Sequence, residues 1–511
     1  MTTTAVQQNA YDQLLEHTQQ AGLLGSTASI LGWDQETLMP PEGLTHRSRQ
    51  LAQLAKLTHQ MKTDPRIGEW LGECEADASL VSNPLSESAV NLRELRRDYD
   101  KATKLPETLV VEMSETTSQA KHAWAEARKT NQYEDFKPWL AKVVELNQRK
   151  AECFGWDETT GEPWDALADS FEAGMTAASV AEVFTPLREK LVALLGDILG
   201  SKTGPSNAFN ELKLPVEQQK AFVKAISSAV GFDYNRGRLD ESTHPFCSGS
   251  HCNDVRMTTR FHEDNVNDAL GSTMHETGHG IYEQGLPEAH IGTPMGLAVG
   301  LSIHESQSRM WENQVGRSRA FWAWCYPKLA EFFGDTTAGL SEEQIFGGAN
   351  IVSPGLIRVE ADEATYNLHI MIRFEIERML MKGDLGVEDL PEVWNAKYKE
   401  YLQVEVPDDR RGCLQDIHWS MGAIGYFPTY TMGNLYCAQF FEAAREALGD
   451  LDAMFAKGEF SPLREWLNEN IHAHGKRYRS ADLVQHVTGK PLSADPLMRH
   501  LEGKLRPLYG V

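Results

Sequence analysis

Helical periodicity dominates this chain and limits the folds open to it. The stretches Leu44 to Thr63, Val90 to Ala102 and Val110 to Thr130 are rich in Ala, Leu, Glu, Lys, Gln and Arg. They carry apolar residues three and four positions apart, the repeat of an amphipathic helix. Pro and Gly fall between such runs, at Met39-Pro40-Pro41-Glu42-Gly43, Leu105-Pro106 and Gly285-Leu286-Pro287, where they end one helix before the next begins. The expected fold class is mostly α. No Ser/Gly or Pro-rich linker, low-complexity tract or repeat divides the 511 residues, so one large lobed unit over 1–511 is expected.

One segment departs from the helical pattern. Val255, Met257, Thr259 and Phe261 alternate with Arg256, Thr258 and Arg260, the period-two signature of a half-buried strand. Helical spacing returns directly afterwards at Val266, Leu270, Met274 and Ile281, with Asp264 or Asn265 as the cap and Gly285 as the stop. A small β element therefore stands beside this helix.

The helix carries His275-Glu276-Thr277-Gly278-His279, an H-E-x-x-H motif. Helical geometry sets the two imidazoles one turn and about 40° apart, so both can hold one ion, while Glu276 projects about 100° from His275 and can act on a water as a base. A catalytic zinc needs a third protein ligand and an open position. Position 285 is Gly where a three-histidine site would need His, so a carboxylate from another segment is expected. Glu283 and Glu288 sit too near the helix end. Glu305 and Glu312 lie on a second helix, LSIHESQSRMWENQV, whose buried stripe is Ile303, Met310 and Trp311 and which leaves Glu305 on a different face. Glu305 is the preferred ligand, with His304 as competitor and a solvated glutamate as the plain alternative. His244, Cys247, His251 and Cys252 cluster within HPFCSGSHC, but their spacing suits a thiol-containing loop better than a structural zinc site.

Charge and cysteine content narrow the function. Forty-nine Lys and Arg against 73 Asp and Glu leave a net charge of -24, which opposes nucleic-acid binding and favours cationic ligands, including peptides with basic ends. No run of about 18 apolar residues suits a membrane helix, and residues 1–20 show no basic and apolar leader. Seven cysteines, sparse and odd in number, fit a reducing compartment, so a cytoplasmic location without membrane association is expected.

Six ordered motifs then resemble the carboxypeptidase Taq family of zinc metallocarboxypeptidases: His244-Pro245-Phe246; Asp254-x-Arg256-x-Thr258; His275-Glu276-x-x-His279; His304-Glu305-Ser306; Ile357-Arg358-x-x-Ala361-Asp362; and Gly412-x-x-Gln415-Asp416-x-His418-Trp419. The resemblance runs from LGWDQETLMPPEG to the terminal KLRPLYGV. It implies a two-lobed helical molecule with a deep groove, usually a homodimer, that removes single residues from peptides with a free C-terminus. It implies one zinc per chain, replaceable by cobalt, on His275, His279 and Glu305, with Glu276 as base. It also brings forward His418 and Tyr430 as oxyanion donors, with Tyr426 as a neighbouring candidate, and His244 and Arg256 at the substrate.

A free carboxylate suits a guanidinium fork. Read from the residues alone, Arg358 flanks the apolar stripe Ile357, Ala361, Ala364, Leu368 and Met371 of a long helix and pairs with Asp362. The family pattern makes it the lead carboxylate clamp, with Arg411 second. The strand Val255 to Phe261 is expected to bond extended substrate through its backbone and so give broad specificity, while Asp254, Arg256 and Thr258 alternatively brace the loop. An endopeptidase or dipeptidyl carboxypeptidase on the same scaffold is the nearest rival, and a non-catalytic helical protein the more distant one.

Overall fold

The computed structural model describes residues 9–511. The first eight positions, part of the segment read as lacking a leader, lie outside the described residues.

The helical runs form as their spacing dictates. The runs form helices α1 (Ala10–Thr37), α2 (Leu44–Lys62), α3 (Glu87–Lys104) and α4 (Glu107–Thr130), with two shorter helices, Pro65–Ala76 and Ala78–Val81, between α2 and α3. Ser86 caps α3 by accepting the Ala89 amide, one of the otherwise unpaired donors of a helix start. Among the described residues, no helix is long and apolar enough to cross a membrane, and all seven cysteines are free thiols.

A three-stranded sheet interrupts the helices: β1 (Gly237–Glu241), β2 (Cys247–His251) and β3 (Asp254–Thr259), in the order β1-β3-β2. Val255 and Met257 are fully buried, as their alternation requires, but Thr258 and Thr259 are buried too. Thr258 Oγ1 shares a hydrogen bond with Ser242 Oγ and accepts from the Phe246 amide, which is how a polar side chain is tolerated there. The strand ends at Thr259, short of Phe261. The expectation that this strand bonds substrate is corrected by its place in the sheet. β3 is central, parallel to β1 on one side and antiparallel to β2 on the other, so its backbone groups are already paired. Any backbone pairing with a peptide falls to an edge strand.

Helix α5 (Val266–Gly285) follows, capped by Asn265, whose side chain accepts the Asp268 amide. Gly285 is its last residue rather than its stop; Leu286 leaves it in extended conformation and Pro287 prevents its return. Helix α6 (Leu301–Arg309) crosses α5 and runs on into a π-helical segment, Met310–Val315. Ile303, Met310 and Trp311 are fully buried, as the stripe requires.

The long helix expected from Ile357 does not form. Arg358–Glu360 is a 3-10 turn, and Asp362 Oδ1 accepts the amides of Ala364 and Thr365, so the chain makes a side-chain-capped turn before α7 (Tyr366–Lys382) begins. Asp362 is thereby spent on backbone and is not the partner of Arg358. Helix α8 (Pro428–Leu448) is buried along most of its length and packs on α6. One continuous core runs from Ala120 to Tyr509, with a smaller cluster of Leu14, Ile67, Leu71, Cys74 and Leu92 between the first helices and another of Phe232, Val255 and Met257 under the sheet.

Candidate metal centre and active site

Two glycines let three helices meet at one carboxylate. A Cβ on Gly278, inside the H-E-x-x-H turn of α5, would stand 2.3 Å from the Gln307 carbonyl oxygen and 2.6 Å from Ser308 Cα, so only Gly lets α5 and α6 cross this closely. A Cβ on Gly433 of α8 would stand 2.6 Å from Glu305 Cγ. Glu305 is therefore gripped between the two helices and is 6% exposed, not on a solvated face.

From that position Glu305 Oε2 lies 3.6 Å from Nε2 of His275 and 3.6 Å from Nε2 of His279. Among the described residues, this is the group of His, Cys, Asp and Glu side chains whose ligand-type atoms converge, all within 4.8 Å of one another. Ligand atoms about 2.1 Å from a tetrahedral ion stand about 3.4 Å apart, so the trio fits a divalent metal in size as well as in donor type. The loop His244 to Cys252 forms no such group: His251 Nδ1 accepts the Asn253 amide and lies 3.8 Å from Cys252 Sγ.

Both imidazoles are held from behind. His275 Nδ1 is 2.9 Å from Glu312 Oε2. His279 Nδ1 is 2.5 Å from His304 Nδ1, and His304 Nε2 is 2.7 Å from Glu283 Oε1. With Nε2 of His279 turned to Glu305, one proton assignment satisfies the row: His279 Nδ1–H donates to His304, and His304 Nε2–H donates to Glu283. Arg309 ties the carboxylates together, donating to Glu305 Oε1 at 2.7 Å and to Glu312 Oε2 at 3.0 Å.

The charges follow this arrangement. Burial opposes ionisation of Glu312, but Arg309 and His275 outweigh it and hold the acid down at about 2. Burial lowers His275, but Glu305 and Glu312 raise it by more. His279, buried between His304 and His275, is held well below the ordinary histidine value. Glu276 is 5% exposed, its Oε2 has no hydrogen-bond partner, and burial pushes its pKa up to about 7.

A second cluster centres on Asp416. Arg358 Nε and Nη2 donate to its Oδ1 at 3.0 and 2.9 Å, and Arg373 Nε donates to Oδ2 at 2.7 Å. Burial opposes its charge, but the two guanidiniums hold Asp416 well below the usual carboxylate range. The Arg358 guanidinium is 5.4 Å from the ring centroid of Phe427 and 5.3 Å from that of Tyr430. His418 Nδ1, 4.0 Å from Asp416 Oδ1, has no hydrogen-bond partner, and burial brings the ring down to about 4, so it is neutral at pH 7. Tyr426 packs edge-on against Tyr430, ring centroids 5.3 Å apart, and 5.4 Å from His418. His418, Tyr426, Tyr430 and Arg358 thus form one group.

Three candidates are placed otherwise. His244 is exposed in the turn after β1, its carbonyl accepting from Ser242. Arg256 forks onto Asp254 and lies 4.4 Å over the Trp33 ring of α1, so it braces the sheet against that helix. Arg411 is exposed and forks onto Asp408. Reasoning from sequence missed Glu312, Glu283, His304 and Arg373 as supporting groups. The seven-residue spacing of Glu305 and Glu312, which puts both on one helical face, was the available signal.

A helical body that sets two imidazoles of one helix against a carboxylate of a crossing helix defines a metallopeptidase of the H-E-x-x-H type. The description "Carboxypeptidase Taq (M32) metallopeptidase" belongs to the family model that matches residues 13–505. The chain is 47% identical over 507 residues to Thermostable carboxypeptidase 1 of Thermus thermophilus, covering 98% of this chain and 99% of that one. It is 36% identical to Carboxypeptidase 1 of Bacillus subtilis, covering 94% and 95%. The crystal structure of the M32 carboxypeptidase from Deinococcus radiodurans R1 superposes with a TM-score of 0.94 at 40% identity, covering 98% of this chain and 100% of that one. The chain belongs to the carboxypeptidase Taq (M32) family, and it is a metallocarboxypeptidase acting on peptides.

Proposed function

We propose that this enzyme releases single residues from peptide C-termini with broad specificity, using one zinc ion held by His275, His279 and Glu305. The observation that carries this reading is the equal 3.6 Å separation of both Nε2 atoms from one Glu305 oxygen. Two imidazole nitrogens and a carboxylate oxygen are the donor set of catalytic zinc, and cobalt(II) accepts the same set. Bound there, the ion supplies Lewis acidity toward water and the scissile carbonyl.

The chain's own groups do the rest. Glu276, with an unpartnered oxygen and a pKa near 7, accepts a proton from the attacking water and delivers it to the leaving amine. Neutral His418 and the Tyr430 hydroxyl, with Tyr426 beside it, donate to the developing oxyanion. Arg358 anchors the free carboxylate. Its Nε and Nη2 fork is spent on Asp416, so the anchoring edge is the Nη1 end, whose other contact is the Tyr366 hydroxyl at 3.4 Å. Arg411, His244 and Arg256 are the weaker substrate candidates, since each is exposed or already paired.

The continuous core from Ala120 to Tyr509 supports a single catalytic domain; its extent over 1–511 as two lobes about a groove rests on the family resemblance. Family resemblance supports a homodimer, and seven free thiols support a cytoplasmic location.

Mass spectrometry of a peptide ladder, paired with metal analysis, tests the reading. Losses of one residue at a time from a free C-terminus, little cleavage of the C-terminal amide, and about one zinc per chain are expected. Internal cuts or two-residue steps would establish the endopeptidase or dipeptidyl alternative instead.

A further inference from the structure

The Asp416 cluster holds more positive charge than it neutralises. Arg358 and Arg373 contact one carboxylate between them, each taking a different oxygen, and Arg373 is completely buried. The Phe427 ring lies about equally far from both guanidiniums, at 5.4 and 5.5 Å, and Trp394 lies 4.6 Å under Arg373. Arg373 Nη1 donates to the His369 carbonyl and to the Tyr398 hydroxyl, neither of which carries charge to offset it. Glu377, one turn further along α7, pairs with neither guanidinium: its carboxylate accepts from the Trp164 and Trp419 indoles and the Gly425 amide.

A buried, unbalanced cation is costly unless something answers it. Of the two guanidiniums Arg358 is the less deeply buried, its side chain 6% exposed against 0% for Arg373. We infer that Arg373 is a positioning residue for the substrate's terminal carboxylate: by engaging Asp416 Oδ2 it keeps Asp416 from neutralising Arg358, so that the positive charge of the pair is answered by the substrate. The inference rests on the reading of Arg358 as the anchor. It assigns to the buried acid and the second arginine a control over preference for free C-termini that neither exerts by touching the peptide.

Charge counting makes opposite predictions for the two supporting residues. Arg373→Met leaves one acid and one base, a neutral pair. Asp416→Asn leaves two uncompensated guanidiniums. The holoenzyme is assayed for KM and kcat on an N-blocked peptide with a free C-terminus, and for Ki of the same peptide as its amide. Arg373→Met is expected to raise KM by about tenfold while kcat, the amide Ki and metal content stay within about threefold, and Arg373→Lys to retain a KM close to wild type. Asp416→Asn is expected to lower KM, and it tests the idea independently if Arg373→Met does not fold. An unchanged KM in Arg373→Met, a parallel rise of KM and amide Ki, or an unchanged or raised KM in Asp416→Asn would overturn the inference. Arg358→Met separates the two levels. If it leaves KM unchanged, the anchor reading itself fails; if it raises KM while Arg373→Met does not, only the role of Arg373 falls.

Discussion

Nδ1 of His275 stands 2.9 Å from Oε2 of Glu312, a residue 37 positions away on the π-helical segment that continues α6. This contact fixes the tautomer of the neutral imidazole, because a ring that donates from Nδ1 carries its lone pair on Nε2, the atom turned toward Glu305. A π-turn rotates its residues away from the course of the α-helix before it, and such turns recur at functional sites.

Removing that support should loosen the metal more than the fold. Glu312→Ala and His304→Phe are each expected to weaken metal affinity by about 10–100-fold, as seen for outer partners of metal-bound histidines. Competition against a chelator of known affinity measures this directly. Wild-type affinity in both variants would mean that the outer contacts are only packing.

Glu276→Gln keeps the shape of the side chain and removes its basicity. The variant is expected to bind metal at wild-type stoichiometry and to lose about 10²–10⁴-fold in kcat. Turnover near the wild-type rate would take Glu276 out of the mechanism.

Gly278→Ala introduces a methyl 2.3 Å from the Gln307 carbonyl oxygen. Backbone on both sides leaves nothing flexible to give way, so α5 and α6 must part, at a cost of about 1–3 kcal/mol or more. A lower midpoint in chemical denaturation together with reduced metal content is expected. A stable variant with full metal content would show that the crossing is looser than its geometry implies.

Glu377 carries a pH signature. Its folded pKa of about 7 lies above the ordinary 4.5, so the folded state holds this proton longer than the unfolded chain does. Its contribution to stability is therefore full below about pH 4.5 and is lost as the pH rises through about 7. Gln at this position cannot titrate, so the stability of Glu377→Gln, measured by urea unfolding, should fall less between pH 5 and 8 than that of wild type. Parallel profiles would show that Glu377 does not change protonation in this range.

Legibility varied with the range of the interaction. The mostly α fold, the H-E-x-x-H helix and the strand before it were readable because period and capping are properties of neighbouring residues. The stripe at Ile357, Ala361 and Ala364 misled for a related reason: spacing records which residues are apolar, while Asp362 competed for the backbone and turned the segment into a capped bend. The strand at Val255 was correctly recognised, yet its role was not, because alternation does not reveal whether a strand is central or at an edge.

By itself the sequence determined the two histidines one turn apart, the glutamate between them and the helical class, since each depends on covalent order and on a repeat of a few residues. Only the tertiary structure decided that Glu305 faces them, that Glu312 and the His304–Glu283 row stand behind them, and that Arg358 shares Asp416 with Arg373. Those relations join segments 21 to 58 positions apart, and they are settled by which helices pack closely enough to cross, a property of assembled volumes that no local spacing contains.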